Sequence, residues 1–167
     1  MRLSSLVAPL FAICASLAVA QELIQSGDTW TIHNAKSGTV LDLSMGDNTT
    51  VTGWSLNNGP NQHWNTTWTG SHWNIQNQFT GAFLSVAGGT SASNNGTVLI
   101  GSPEAFDWDI WHDERNDTNY RLYVPETHFN ADLFAFGDPR IGDPVTLWAA
   151  WFVLSPLTAL PILTFLF

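Results

Sequence analysis

The sequence predicts an all-β fold, a threefold barrel of hairpins, and two observations indicate it. From residue 21 to 143 no stretch has the apolar spacing of a helix, and short alternating runs are separated by turns rich in Gly, Asn and Pro. A unit of about four such runs occurs three times. Short strands with such turns are typical of sandwiches and barrels, and a propeller needs more than three blades.

The three units share one internal layout. They begin at Trp30, Trp73 and Tyr120, which are 43 and 47 residues apart. An apolar–polar–apolar triplet follows eleven residues after each start: LDL at 41–43, LSV at 84–86 and ADL at 131–133. Each triplet is expected to lie in a strand with its central side chain on the opposite face from its neighbours.

A Val-led strand follows each triplet. These strands are predicted to begin at Val51, Val98 and Val145. In this alignment the fourth residue of the strand is Trp54 in the first unit, Gly101 in the second and Trp148 in the third.

Composition excludes several classes of function. The chain has 167 residues, enough for one domain, and a net charge of −9, which argues against nucleic-acid binding through clustered Lys and Arg. Ligand spacings for zinc or calcium and the G-x-S-x-G elbow are absent from the sequence, so we expect no metal, no cofactor and no enzyme. We expect the acidic stretch at 104–117 to be a solvated loop. The pair Asp107 and Asp109 could serve a glycosidase only at a suitable separation.

The N-terminus predicts secretion. Residues 1–20 have a basic Arg2, an apolar stretch and an A-x-A cleavage pattern at 18–20, as in a signal peptide, although an uncleaved anchor stays an alternative. The one cysteine, Cys14, leaves with that peptide, so the mature chain has no disulfide. Four N-x-[ST] sequons predict N-glycosylated loops at Asn48, Asn65, Asn95 and Asn116.

The aromatic-led strands, SGTVLDLS at 37–44, NQHW at 61–64 and FDW at 106–108 resemble the ricin B-chain-like lectins, especially the small secreted mushroom type. The resemblance covers residues 26–152. It implies a β-trefoil of three repeats of about 45 residues and non-catalytic glycan binding. It also implies that the closing residues of units one and two, Trp64 and Trp108, pack in the core.

The resemblance also implies a sugar pocket in each complete unit. The pocket is formed by the acid of the triplet, the aromatic after the third strand and the amides before the closing Trp. In unit one the residues that match this pocket are Asp42, Trp54, Asn61 and Gln62. Asn57, another amide in the loop before Trp64, is added to the predicted carbohydrate-binding residues. The alternatives are that Asp42 caps a turn and that Trp54 packs inward. Family ligands often contain Gal or GalNAc.

The other two units depart from this pocket. Unit three keeps Asp132 and Trp148, but its amide partners are lost in an atypical tail, so we expect half a pocket there. Unit two has Ser85 in place of the acid and Gly101 in place of the aromatic, and no standard pocket is expected.

The hydrophobic tail at 153–167 has no Q-x-W closing motif. Three interpretations stay open: intron read-through in the gene model, an anchor signal whose tail is removed, and a divergent last strand. With intron read-through the last closing strand would be missing, whereas a divergent last strand would take its place. Membrane attachment is expected only for the anchor signal, and a homodimer stays open.

Two other functions compete with a free-standing lectin. Similar trefoils inhibit proteases through exposed loops, here GGTSASNNG at 88–96 and GDPRIGDP at 137–144. The second alternative is a carbohydrate-binding module that has been separated from an enzyme and binds wall polysaccharide.

Overall fold

The computed structural model describes residues 24–150 and 164–165 and confirms an all-β fold. Its described part has twelve strands, four in each unit. Unit one contains β1 Thr29–Trp30, β2 Val40–Leu43, β3 Val51–Trp54 and β4 Trp64–Trp68. Unit two contains β5 Trp73–Asn77, β6 Phe83–Val86, β7 Leu99–Ser102 and β8 Asp109–His112. Unit three contains β9 Asn119–Tyr123, β10 Phe129–Leu133, β11 Asp143–Ala149 and β12 Thr164–Phe165.

Several predictions concern residues that the structure does not describe. The signal peptide at 1–20 lies outside the described residues, and so does all of the tail except 164–165. Across the described ranges, no helix has both the length and the apolar character needed to cross a membrane.

The strands are arranged as a β-trefoil. The second and third strands of each unit form an antiparallel hairpin: β2 with β3, β6 with β7 and β10 with β11. The first and fourth strands line the barrel, where β4 pairs with both β1 and β5, and β8 pairs with β9. The predicted threefold barrel of hairpins is therefore confirmed.

The three hairpins meet in a ring of backbone contacts with threefold symmetry. In each unit, one residue of the hairpin pairs with the third strand of the next unit. This residue comes just before the first buried residue of its own third strand. The pairs are Thr50 with Ile100, Val98 with Thr146 and Pro144 with Thr52. Each unit therefore depends on both neighbours, and the third unit closes the ring onto the first.

Two closing tryptophans anchor the core, as predicted. Trp64 and Trp108 are fully buried. Their indole N–H groups donate to the backbone carbonyls of Leu41, at 3.0 Å, and Leu84, at 2.9 Å. The equivalent carbonyl in unit three, that of Ala131, accepts a hydrogen bond from the side chain of its own neighbour, Asn130, at 2.9 Å.

The end of unit three differs from the other two. In units one and two the closing strand meets the opening strand antiparallel, at Trp30 with Trp64 and at Trp73 with Trp108. In unit three β12 runs parallel to β9 and pairs Phe165 with Tyr120. β12 thus lies beside the opening strand, as the closing strands of units one and two do, but in the opposite direction.

The predicted register of β7 is wrong by one residue. Ser85 pairs with Ile100, as Asp42 pairs with Thr52, so the strand position of Trp54 belongs to Ser102 and not to Gly101. The cause is burial: Leu99 is buried, whereas Val98 is 41% exposed. A Val-led pattern does not reveal which of two adjacent apolar residues faces the core.

The acidic stretch at 104–117 is not wholly a solvated loop, which corrects that prediction. Asp113 is buried, and its Oδ2 accepts a hydrogen bond from Arg121 Nε at 2.5 Å. Burial raises the pKa of this carboxyl, but Arg121 and the backbone N–H groups of Arg115 and Asn116 outweigh burial and lower the pKa below its ordinary value. Within the described residues, no three His, Cys, Asp or Glu side chains are grouped to hold a metal ion.

We predict that Trp64→Phe destabilises the fold by about 2 kcal/mol, because it removes the indole donor and leaves the Leu41 carbonyl buried without its partner. Trp111→Phe is the control, since Trp111 is 53% exposed and its replacement should change stability by less than about 0.5 kcal/mol. Urea unfolding of the two variants measures the difference. Equal loss in both would contradict the anchoring role of Trp64.

Candidate functional site

A cavity of about 350 Å³ opens beside the first hairpin. Four of the five residues predicted for unit one line it: Asp42, Trp54, Asn57 and Asn61. The lining also includes Ser44, Met45, Thr50, Thr52 and Gly142, which the sequence did not single out. The first four of these flank the predicted residues in the chain, whereas no local signal connects Gly142 with unit one.

Asp42 is the one charged residue among those that line the cavity. It lies in β2 between two buried leucines and is itself only 6% exposed. Its Oδ2 accepts hydrogen bonds from Asn61 Nδ2 at 2.9 Å and from Gln62 Nε2 at 2.7 Å. The carboxylate therefore does not cap a turn; two side-chain amides from a single loop hold it.

The environment of Asp42 opposes its ionisation. Burial raises the pKa of the carboxyl above its ordinary value, while the hydrogen bonds from Gln62 and Asn61 act in the opposite direction and compensate in part. The two amides satisfy one oxygen, and within the described residues no donor pairs with Oδ1. Asp42 Oδ1 is thus an acceptor that no described donor satisfies.

Gln62 lies behind the cavity and does not line it. Its side chain is fully buried and all its polar atoms are paired. Besides Asp42, Nε2 donates to the Ser55 carbonyl at 2.9 Å, and Oε1 accepts the Asn57 N–H at 2.8 Å. The Gln62 side chain thus hydrogen-bonds both to the Asp42 carboxylate and to the Asn57 backbone, and both of these residues line the cavity. It belongs to a 3₁₀ turn, Pro60–Gln62, whose first-position proline has a backbone angle suited to a helical start.

Trp54 faces the cavity and does not pack inward. It ends β3, and its side chain is 39% exposed. Because side chains two apart in a strand share a face, Thr52 and Trp54 line the cavity together. An exposed indole face next to a buried carboxylate is the main feature of the site.

Unit three repeats the backbone of this site and its exposed indole, but the hydrogen bond of that indole is different. Asp132 pairs with Thr146, as Asp42 pairs with Thr52, and Trp148 follows two residues later. The indole N–H of Trp148, however, donates to Thr146 Oγ1 at 3.0 Å. The amide partners of Asp132 would fall in the undescribed tail, so the half-built pocket stays a prediction.

Three of the four sequons lie in loops, as predicted. Asn48, Asn95 and Asn116 are exposed loop residues. Asn65 instead lies within β4, partly buried, and its side-chain oxygen accepts a hydrogen bond from Thr29 Oγ1 at 2.7 Å. The prediction of a loop at Asn65 is therefore wrong, because the strand that includes the closing Trp64 continues through it.

The chain is similar to known lectins. Residues 20–102 match the family described as ricin-type β-trefoil lectin domain-like. The ricin B-like lectin of Macrolepiota procera, solved in complex with lactose, is 38% identical, with a TM-score of 0.74 over 78% of this chain and 92% of that chain. The Rhizoctonia solani agglutinin is 25% identical, with a TM-score of 0.67 over 79% and 92%.

A designed protein supports the fold alone. The threefold symmetric protein ThreeFoil is 18% identical, with a TM-score of 0.65 over 73% of this chain and 89% of that chain. No curated protein matches the sequence. The assignment of this chain to a family rests on the Macrolepiota lectin, because their sequences are 38% identical and the match covers 92% of that chain. The chain therefore belongs to the ricin B-like lectin family, of the fungal type.

Proposed function

We propose that this chain is a secreted, non-catalytic lectin that binds a galactose-containing glycan in the cavity of unit one. The observation that carries the proposal is the pairing of a buried, amide-held carboxylate, Asp42, with the exposed indole of Trp54. The similar Macrolepiota lectin was solved with lactose, which supports a β-galactoside as the first ligand to test.

The chemistry of a sugar suits this pair of residues. A pyranose presents vicinal hydroxyls on one side and an apolar C–H face on the other. Asp42 Oδ1 lacks a partner among the described residues and can accept a hydrogen bond from a sugar hydroxyl, and hydrogen bonds to a charged acceptor are the stronger kind. The Trp54 face can cover the C–H groups.

The cavity suits a small glycan. Its volume of about 350 Å³ lies near the lower end of the range for small-molecule sites. One or two sugar rings fit such a space. Asn57 and Asn61 line the cavity, and their side chains already have partners: Asn57 Oδ1 accepts the Gly59 N–H at 2.7 Å, and Asn61 Nδ2 donates to Asp42 Oδ2 at 2.9 Å. Little side-chain ordering is then needed when the glycan binds, which favours affinity.

We predict that Asp42→Asn weakens lactose binding at least tenfold, measured by isothermal titration calorimetry on the full chain. The amide oxygen can replace Oδ2 and keep both amide contacts, but the NH₂ group replaces the accepting Oδ1. Loss of a charge-assisted hydrogen bond is worth about 1.5–3 kcal/mol, which corresponds to tenfold or more.

Asp132→Asn is the matched control, since Asp132 has the same strand register in unit three but does not line the cavity. It should weaken lactose binding by less than Asp42→Asn does, because unit three is predicted to keep only half a pocket. Lactose binding that is unchanged in Asp42→Asn, or equally reduced in both variants, would contradict a binding site in unit one.

We predict that Asp42→Asn also gains stability relative to the wild type as pH rises. The pKa of Asp42 is raised in the fold, so its stabilising contribution is full below the unfolded pKa, near 3.9, and is lost as pH rises through the folded pKa. Urea unfolding from about pH 3.5 to pH 7 measures the difference.

Asp47→Asn is the control with the opposite sign. Hydrogen bonds from the Thr50 side chain and from the N–H groups of Thr50 and Thr49 lower the pKa of Asp47 to about 2. Its stabilising contribution is present above the unfolded pKa and is lost as pH falls, so this variant should lose stability relative to the wild type as pH rises. Parallel trends in both variants would refute the assignment of Asp42.

A further inference from the structure

We infer that Gly142, a residue of the third unit, positions the Trp54 indole in the sugar cavity of the first unit. The inference rests on the proposed function, but its first test needs no sugar. It makes Gly142 a positioning residue that the neighbouring unit contributes to the site.

The backbone brings Gly142 to the site. The start of β11 pairs with β3 at Asp143 with Gly53, and the N–H of Gly142 donates to the Gly53 carbonyl at 2.8 Å. This places Gly142 beside the residue that immediately precedes Trp54. The glycine lines the cavity.

The missing side chain leaves room for the indole. A Cβ built on Gly142 would lie 3.3 Å from Trp54 Cζ3, closer than an ordinary van der Waals contact. Gly142 also has a φ of +88°, in the left-handed region that glycine adopts without cost. The indole edge therefore lies directly against the Gly142 backbone, and a Cβ at residue 142 would require the indole to shift by a few tenths of an ångström.

The symmetry-related position in unit two provides the comparison. Gly96 has a φ of +82°, and its N–H donates to the Leu147 carbonyl at 2.8 Å, as that of Gly142 donates to Gly53. Leu147 pairs with Ala131 just as Gly53 pairs with Leu41, so the two accepting carbonyls are at equivalent positions of their hairpins. A Cβ on Gly96, however, would meet nothing within 4 Å. The glycine is the same in both loops, but only Gly142 touches a cavity aromatic.

The corresponding residue of unit one is Asn48, which has a positive φ of +57° with a side chain present. Its backbone N–H donates to the Ser44 carbonyl at 2.8 Å and not to the neighbouring hairpin, so only the sign of φ is shared. Asparagine tolerates the left-handed conformation better than most residues do. Asparagine at residue 142 should therefore keep the loop conformation while adding a side chain against Trp54.

The experiment compares Gly142→Asn with the control Gly96→Asn in the full chain. The first readout is the indole N–H resonance of Trp54 in ligand-free protein, assigned by its loss in Trp54→Phe. It should shift in Gly142→Asn and stay in place in Gly96→Asn. The second readout is lactose affinity, which should fall about tenfold in the first variant, the size of a lost aromatic contact. In the control it should stay within about twofold.

The outcomes separate this inference from the proposed function. An unmoved Trp54 resonance in Gly142→Asn overturns the inference, whether or not the wild type binds lactose. A shifted resonance with unchanged lactose affinity overturns the role of Gly142 in sugar binding. A wild type that binds no lactose, with the resonance shifted as expected, rejects lactose as the ligand and supports the positioning of Trp54.

A double variant tests the inference if Gly142→Asn does not fold. If Gly142→Asn unfolds, the double variant Gly142→Asn/Trp54→Ala removes the indole that the new side chain would meet. Recovery of a cooperative thermal transition in the double variant supports the contact. Continued unfolding shows that the defect lies elsewhere and overturns the inference.

Discussion

The two hydrogen bonds from Asn61 and Gln62 to the buried carboxylate of Asp42 are the interaction on which the site depends. Burial of a carboxylate is unfavourable unless donors surround it. Here the donors come from the 3₁₀ turn that leads into β4, so the same contacts that satisfy Asp42 also fix the loop over the cavity. Oδ2 is used in these structural contacts, and Oδ1, which has no donor among the described residues, is the oxygen that the proposed function assigns to a ligand.

The fold is symmetric, whereas the candidate site is not. All three units have the same hairpin register and the same ring of contacts between units. The acid, the exposed indole and the paired amides are found together only in unit one of the described residues. In unit three the Trp148 indole is also exposed, but its N–H donates a hydrogen bond to Thr146 Oγ1, and the segment where amide partners for Asp132 would fall lies outside the described residues.

Much of the fold could be predicted from the sequence because the repeat places apolar residues at fixed offsets, and these offsets determine which strands pair. The lining residues Asp42, Trp54 and Asn61 were found because they match a family pattern within one unit, and Asn57 because it is an amide in the same loop. The rest depends on contacts that no local pattern encodes. Burial of Leu99 fixes the register of β7, and closure of the ring places Gly142 beside a residue 88 positions earlier in the chain.

The most direct test of a sugar site in unit one is an NMR titration of the full wild-type chain with lactose, followed through the indole and side-chain amide N–H resonances. The account predicts saturable shifts of Trp54, Asn57 and Asn61, with Trp148 unchanged. Shifts of Trp148 without Trp54 would move the site to unit three, and shifts confined to other residues would contradict the account.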